Sequence, residues 1–359
     1  MLRGSEPALP LVSVVINNFN YGDFVGRAID SALQQTYAAI EIVVIDDGST
    51  DRSREVISAY RDRCRIVFQP NRGQGAAYNA GFAVSRGDIV LFLDSDDLLL
   101  PDAIARVVAA WRPGVAKIQF YLDVVDRHER PLGARMPNIA FVDGDMLEFL
   151  RSYSYYPAPP ASGNAYTRSA LAAMLPMPDS SWRNGADGYL IGLAPVYGEV
   201  RSIHASLGLY RVHGRNNSEV AGIDLPLLRR RLRNEIEREE AIAAHAARRG
   251  IALPPARVLR IPSHCKARLL SLRFDRSTHP YADDRLLTLV LRGILASWLF
   301  PHASLRKRVF ATAAFPLLAL LPRRWLRPRL PIVFQKERRR TAGDLLLALR
   351  RRAATGTGV

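Results

Sequence analysis

The first hundred residues alternate between short, wholly apolar runs and segments with helical periodicity. We predict four strands from the runs, at 11–16, 40–45, 65–68 and 88–93. Helical patterns separate them, with apolar residues on one face of 24–33 and glycines at both ends of 73–87. Strands that are apolar throughout and alternate with helices indicate an α/β fold, in which helices cover both faces of a doubly wound, mostly parallel sheet.

The pattern continues beyond Leu100 with longer and less regular elements. It predicts helices at 101–111, at 143–150 and late in 181–198, and strands at 117–126 and 199–214. Near residue 221 the character changes, because 225–250 has the composition of a long charged helix. We therefore divide the chain into an α/β domain, 1–220, and a helical C-terminal region, 221–359.

Polar clusters follow three of the predicted strands at the point where each strand ends. The clusters are 17–20 (Asn-Asn-Phe-Asn), 46–49 (Asp-Asp-Gly-Ser) and 94–97 (Asp-Ser-Asp-Asp). Ligands of parallel sheets bind at this edge. Carboxylates spaced as in Asp94-Ser95-Asp96 can hold Mg²⁺ or Mn²⁺, which usually shares its shell with substrate phosphates. The alternative is that Asp96 or Asp97 caps the next helix, but three acids exceed what capping needs.

Charge is distributed unevenly along the chain. Residues 1–220 contain 21 Lys and Arg against 24 Asp and Glu, whereas residues 221–359 contain 29 against 10. The whole basic excess therefore lies in the C-terminal region, which predicts contact with an anionic surface. The two cysteines have no metal-binding or disulfide spacing, and the N-terminus lacks a signal-peptide pattern, so we expect a cytoplasmic protein.

Several ordered motifs resemble those of the family 2 glycosyltransferases. They are VSVVINNFN, IEIVVIDDGSTD, NRGQGAAYNAGFAVSRGDIVLFLDSDD, GADGYLIGL and YRVHGRNNS, within residues 10–218. The resemblance implies a GT-A fold and an inverting enzyme of bacterial polysaccharide type. It also implies a nucleotide-diphosphate sugar as donor, with a UDP-sugar favoured, and a divalent cation, Mn²⁺ or Mg²⁺, as cofactor.

The resemblance also assigns roles on the donor side. Asp46 is expected to contact the nucleotide base, Asp94 to lie near the ribose, and Asp96 to bind the metal. Asn20 is expected to line the nucleotide. A further set is expected to pass under it: Asn71, Arg72, Gly73 and Asn79.

On the acceptor side, the resemblance makes Asp187 the general base that deprotonates the attacking hydroxyl. The family often has Glu before this aspartate, where this chain has Ala186. Asp187 could instead cap the following helix. His213 matches a histidine near the diphosphate or metal, although a histidine that only satisfies a turn is an open alternative. Segment 162–171, with Asn164, resembles an acceptor-side segment.

Other classes of protein are weighed against this expectation. A non-catalytic, membrane-associated scaffold with a retained GT-A fold would be signalled by loss of Asp96 or Asp187, and both are present. A nucleotidyltransferase would need a glycine-rich, basic loop after the first strand, where this chain has NNFNYGD. A dinucleotide-dependent oxidoreductase is disfavoured because no G-x-G-x-x-G follows that strand. The expected acceptor is a hydroxyl of a glycan or of a lipid-linked sugar.

The C-terminal region contains two apolar segments with basic flanks. Segment 284–300 has Arg292 near its middle, and segment 309–321 is short and contains Pro316. A membrane span needs about 20 apolar residues. Clustered arginines and nearby tryptophans instead favour helices in the interface of an anionic leaflet, peripheral on the inner face of the cell membrane. Packing on the catalytic domain, true spanning and a nucleic-acid surface are the alternatives, and we predict no nucleic-acid partner.

Overall fold

A computed structural model describes residues 9–142, 146–178, 182–214, 216, 225–255, 257–299 and 304–329. The strands are β1 (Val12–Asn18), β2 (Ile40–Asp46), β3 (Arg65–Phe68), β4 (Ile89–Asp94), β5 (Leu98–Leu99), β6 (Val115–Asp126), β7 (Pro131–Met136), β8 (Asn164–Thr167) and β9 (Glu199–Val212). The helices are α1 (Val25–Leu33), α2 (Ser53–Ser58), α3 (Gln74–Val84), α4 (Ala103–Ala110), α5 (Met146–Tyr153), α6 (Arg168–Met174), α7 (Ala186–Tyr197), α8 (Leu225–Arg248), α9 (Pro262–Phe274), α10 (Leu286–Leu299), α11 (Leu305–Leu320) and α12 (Arg323–Leu326).

The described strands form one sheet in the order β3-β2-β1-β4-β8-β6-β9-β5, with β7 paired to β6. Strands β1 to β4 are parallel to one another. Strand β8 is antiparallel to both β4 and β6, so β6 runs in the same direction as β4. Because β9 is parallel to β6, the carboxyl ends of β4 and β9 point toward the same edge of the sheet.

Helices cover both faces of this sheet, and alternate residues of each strand face opposite layers. Val14 and Ile16 of β1 pack in a core that includes α1 and α4, whereas Val15 packs in a second core that includes α3, α6 and α7. The fully buried strands explain the uninterrupted apolar runs of the sequence, since neither face of the sheet needs polar residues.

The predicted strands lie within two residues of the observed ones. Strands β5, β7 and β8 and helix α6 were not predicted, because two to seven residues are too few to show a period. In the predicted helix 143–150, the described part begins at Met146. Residues 1–8, 217–224 and 330–359 lie outside the described residues, including the N-terminus, the junction of the two regions and the basic run 338–340.

The C-terminal region is helical, and its first helix packs on the α/β domain. A Cβ built on Gly192 of α7 would lie 3.1 Å from Ile242 of α8. Helices α9, α10 and α11 share a small apolar core around Leu269, Leu289 and Phe315. Among the described residues, none of the helices has the length and apolar character needed to cross a membrane. The boundary near residue 220 stays a prediction.

Two helical glycines give a matched test of this packing. A Cβ on Gly81 of α3 would lie 2.3 Å from Cγ1 of Val15 in β1, whereas a Cβ on Gly188 of α7 meets nothing within 4 Å. We expect Gly81→Ala to lower the free energy of unfolding by about 1–3 kcal/mol through overpacking. Gly188→Ala should raise it by about 0.5–1 kcal/mol, because alanine loses less backbone entropy in a helix.

Chemical denaturation of both variants beside wild type is the measurement. Equal effects of the two substitutions, in either direction, would contradict the close contact of α3 with β1.

Candidate active site

The loops after β1 and β2 are tied together by the side chains of Asn18, Asn20 and Ser49. Asp46 is buried, and its Oδ1 accepts hydrogen bonds from Asn18 Nδ2 at 2.8 Å and from Ser49 Oγ at 2.5 Å. Asn20 adopts a left-handed conformation (φ 59°), and its Oδ1 accepts from the Thr50 amide at 2.8 Å. One oxygen of the Asp46 carboxylate is thus already used in the turn, and the contact of Asp46 with the nucleotide base stays a prediction.

Asp47, which the sequence did not single out, holds the segment 71–73. Its carboxylate accepts three hydrogen bonds, from Gln69 Nε2 at 2.7 Å, from the Arg72 amide at 3.0 Å and from the Gly73 amide at 2.7 Å. Gly73 has φ +94°, and a Cβ there would lie 2.5 Å from Cα of Arg183. Asn71 Oδ1 accepts from Arg183 Nη2 at 2.5 Å. Asn71, Arg72 and Gly73 therefore form one turn, fixed between Asp47 and the loop before α7.

The side chain of Asn79 contacts the loop that follows α6. Its Nδ2 donates to the Met177 carbonyl at 2.8 Å, and its Oδ1 accepts from the Met177 amide at 3.0 Å. Both ends of the carboxamide are thus used to hold the loop after α6. Asn79 therefore positions this loop, and its place in the segment under the nucleotide stays a prediction.

The three carboxylates after β4 point to three different sets of partners. Asp94 Oδ1 accepts from Asn17 Nδ2 at 3.0 Å. Asp97 Oδ2 accepts from Ser162 Oγ at 2.6 Å, and its Oδ1 accepts from the Arg211 amide at 2.9 Å. Helix α4 begins only at Ala103, so Asp97 does not cap it. Asp97 instead fastens the acidic loop to β8 and β9.

Burial and mutual repulsion change the protonation of this cluster. Desolvation, reinforced by the charge of Asp96, raises the pKa of Asp94 to about 7. The pKa of Asp97 is also raised, first by burial and then by Asp96 and Asp94. Ionisation of both carboxyls therefore costs free energy, and a cation bound beside them would offset that cost.

The side chain of Asp96 contacts that of His213, which lies 117 residues later in the sequence. His213 Nε2 lies 3.0 Å from Asp96 Oδ2, and the imidazole stacks on the ring of Phe24 with centroids 4.6 Å apart. This contact is a hydrogen bond or ion pair, and the same oxygen and nitrogen could both turn toward a shared cation. Among the described residues no three His, Cys, Asp or Glu side chains are grouped to hold a metal, so the other ligands would come from substrate oxygens or water. The two residues fit a divalent cation, and their assignment as its ligands stays a prediction.

Arg211 is a buried cation beneath the acidic loop, and the sequence analysis did not identify it. Its Nε donates to the Asp96 carbonyl at 2.8 Å, and its Nη2 lies 3.2 Å from Glu129 Oε1. Glu129 also accepts two hydrogen bonds from Arg27 of α1. Because Arg211 binds the main chain of the loop, it leaves the carboxylate of Asp96 available.

Helix α7 carries Asp187 in its first turn, and a side chain from α3 caps its N-terminus. Gln74 Oε1 accepts from the amides of Gly185 at 2.9 Å and Ala186 at 3.1 Å. Asp187 is therefore not the N-cap, which excludes that alternative. Gln74 Nε2 lies 3.5 Å from Asp94 Oδ1, and the negative charge of Asp187 contributes to the raised pKa of Asp94. Gln74 thus connects the N-terminus of the helix that carries the candidate base to the acidic cluster.

Strand β6 carries a buried lysine, Lys117, which no sequence motif singled out. Lys117 is fully buried on β6, and its Nζ donates to Gln119 Oε1 at 2.8 Å and to Asn164 Oδ1 at 2.7 Å. Asn164 Nδ2 donates to the Pro160 carbonyl at 2.7 Å. Burial lowers the pKa of Lys117. The network holds the segment that leads to Ser162, the partner of Asp97, so Asn164 supports the site from within.

Comparison with known proteins identifies the family. Residues 13–163 match the family model described as Glycosyl transferase family 2. The chain thus contains a glycosyltransferase family 2 domain. An uncharacterised glycosyltransferase of Nostoc sp. is 37% identical over 212 residues, which cover 57% of this chain and 66% of the relative. The succinoglycan biosynthesis protein ExoO of Rhizobium meliloti is 31% identical over 230 residues, which cover 60% and 65%.

The aligned part of this glycosyltransferase spans just under two thirds of those two relatives. A crystal structure of S. aureus TarS 1–349 in complex with UDP-GlcNAc aligns with a TM-score of 0.51 at 14% identity, covering 89% of this chain and 91% of that chain. This likeness concerns the fold alone. It confirms the predicted GT-A-like α/β architecture with a helical C-terminal region.

Asp47 gives a test of how the glycosyltransferase site is held. Asp47→Ala leaves the Gln69 side chain and the amides of Arg72 and Gly73 without their acceptor. We expect the free energy of unfolding to fall by about 3 kcal/mol, since the lost hydrogen bonds are charge-assisted and buried. Asp102→Ala removes a half-exposed carboxylate nearby and should change stability by less than about 0.5 kcal/mol. Denaturant titration would show the difference, and equal stability of the two variants would contradict the role given to Asp47.

Proposed function

We propose that the protein transfers a sugar from a nucleotide-diphosphate sugar to a hydroxyl of a glycan or lipid-linked acceptor, by single displacement with inversion. The observation that carries this proposal is the bridge made by Gln74 between the N-terminus of α7 and Asp94. A donor site and a base must act on opposite ends of one breaking bond, and this bridge supports their presence in one cleft. A UDP-sugar is the favoured donor, in keeping with the UDP-GlcNAc bound by the structurally similar TarS.

The donor side would be built by the loops after β1, β2 and β4. Among the described residues, Oδ2 of Asp46 accepts one hydrogen bond, from the Ser49 amide at 3.2 Å, and this oxygen would meet the base N–H. The turn 71–73 and Asn20 would contact the nucleotide through their fixed loops. Asp94, ionised in the presence of a cation, would accept from the ribose.

Asp96 and His213 would hold the divalent cation, Mn²⁺ or Mg²⁺, beside the diphosphate. When bound, this cation supplies positive charge that offsets the charge developing on the leaving diphosphate. Asn216 donates to Asp96 Oδ2 at 3.2 Å and fixes the direction of that carboxylate. Arg211 holds the loop through its main chain, so its charge does not compete directly for the Asp96 carboxylate.

Asp187 would act as the general base. Its carboxylate takes the proton of the acceptor hydroxyl while the oxygen forms a bond to the anomeric carbon. The bond from that carbon to the diphosphate oxygen breaks, and the nucleoside diphosphate leaves with the electron pair. One base and one displacement give inversion, and no protein nucleophile is required.

The acceptor and the cellular location belong to the same proposal. ExoO, a relative at 31% identity, is named for succinoglycan biosynthesis, which supports a role in polysaccharide biosynthesis. We propose a cytoplasmic protein, peripheral on the inner face of the cell membrane through its basic C-terminal region. Contact with an anionic membrane surface would bring the cleft close to lipid-linked acceptors.

Two substitutions separate donor binding from chemistry. We expect Asp187→Asn to bind a nucleotide sugar as wild type does but to lower turnover by about 10²–10⁴-fold, because the base is lost. Asp96→Ala should abolish the dependence of donor binding on Mn²⁺ or Mg²⁺. The measurements are calorimetric binding and release of nucleoside diphosphate across a panel of UDP-, GDP- and dTDP-sugars.

Asp102→Asn, a change of charge on the same stretch of chain, is the matched control and should leave both quantities unchanged. The proposal would be abandoned if the folded wild-type protein bound none of these donors with metal present. The role of the base would be rejected if Asp187→Asn turned over at the wild-type rate.

A further inference from the structure

We propose that the outer face of α10 and α11 is a docking surface for an anionic lipid leaflet. Its centre is a row of four leucines on α10, here called the leucine ridge: Leu287, Leu291, Leu295 and Leu299. The inference rests on the membrane association in the proposed function and deepens it by naming the surface that makes the contact. It does not depend on the donor or on the base.

The leucine ridge follows the helical repeat of α10. Its members are four residues apart and are 69%, 58%, 58% and 63% exposed. The opposite side of the same helix is buried against α9 and α11, with Leu289 and Ala296 in the apolar core. A helix whose inner face already fills a core has no structural need of leucines on its outer face.

Helix α11 extends this apolar surface. Its exposed side chains include Leu305 (68%), Phe310 (74%) and Leu320 (78%). The two helices pack closely, since a Cβ on Gly293 would lie 2.1 Å from the Phe315 ring. Trp298 Nε1 donates to Thr312 Oγ1 at 3.0 Å, and both side chains are exposed. This bond joins the outer faces of the two helices into one surface.

Charge identifies the partner as anionic. Between Arg285 and Arg329 the sequence has nine Lys or Arg residues and no Asp or Glu. Arg292 is exposed on α10, directly after a ridge leucine, and Arg323 and Arg324 are exposed on α12. Long basic side chains beside an apolar face can reach lipid phosphates while the leucines enter the acyl boundary.

The same observations disfavour other occupants. A second copy of this chain docked face to face would bring two acid-free basic segments together and would be opposed by their repulsion. A nucleic acid would satisfy the arginines but would leave the leucine ridge in water. An anionic leaflet offers phosphates to the arginines and an apolar boundary to the leucine ridge, so lipid is the occupant that fits this surface.

Co-sedimentation of the full chain with vesicles tests the proposal. Wild type should bind vesicles of phosphatidylglycerol and phosphatidylcholine. Leu291→Gln with Leu295→Gln should lower the partition coefficient by about tenfold or more, because two leucines no longer enter the apolar boundary. Leu132→Gln is the matched control, since Leu132 is 50% exposed on β7, outside this surface, and its substitution should leave binding unchanged.

A second variant, which removes two positive charges, tests the role of the anionic headgroups separately from that of the acyl chains. Arg323→Gln with Arg324→Gln should lower binding to the anionic vesicles by about tenfold and leave binding to pure phosphatidylcholine unchanged. Equal loss on both kinds of vesicle would overturn the role of the headgroups.

Fluorescence of the unaltered protein gives a reading that does not rely on variant folding. Trp298 lies on this surface and Trp325 is exposed on α12, whereas Trp182 is buried in the α/β domain. Brominated acyl chains should quench the wild type, and Trp298→Phe should lose a large part of the quenching while Trp111→Phe retains it.

The proposal is overturned if wild type does not bind anionic vesicles or if Leu132→Gln loses as much binding as the ridge variant. It is also overturned if the ridge variant only converts a dimer to a monomer in light scattering.

Discussion

Repulsion among the carboxylates after β4 determines how the rest of the site is arranged. Asp94, Asp96 and Asp97 lie within four consecutive positions, and no one element satisfies all three. Asp94 contacts Asn17 of β1, Asp96 contacts His213 just after β9, and Asp97 contacts Ser162 in the turn before β8. Each carboxylate therefore has a different partner. The cluster can stay compact because the chain around it comes from distant parts of the sequence.

A few polar side chains connect the loops that would otherwise move independently. Asp47 joins the end of β2 to the turn before α3, and Gln74 joins α3 to both α7 and β4. Lys117 and Asn164 perform the same task inside the sheet. These residues need not touch a substrate, yet they set the distance between the groups that would do so. Their loss would therefore affect stability and geometry together.

The sequence predicted the longer strands and the edge of the sheet at which polar residues meet. It could do so because buried parallel strands have continuous apolar runs, and because strand ends of the same direction share an edge. It did not predict Asp47, Gln74, Arg211 or Lys117 as structural links, since their partners are defined only in space. The hydrogen bonds of Asn79 to the backbone of Met177 could not be predicted either, because its motif position says nothing about a loop 98 residues away.

The acidic loop also spans the two halves of the sheet. It leaves β4, which pairs with β1 and β8, and enters β5, which pairs with β9 at the far edge. The strand that joins the two halves directly, β8, has only four residues. A change in the spacing of the halves must therefore strain the same few residues that carry Asp96. The position of Asp96 is therefore set by both halves of the sheet at once, through β4 on one side and β5 on the other.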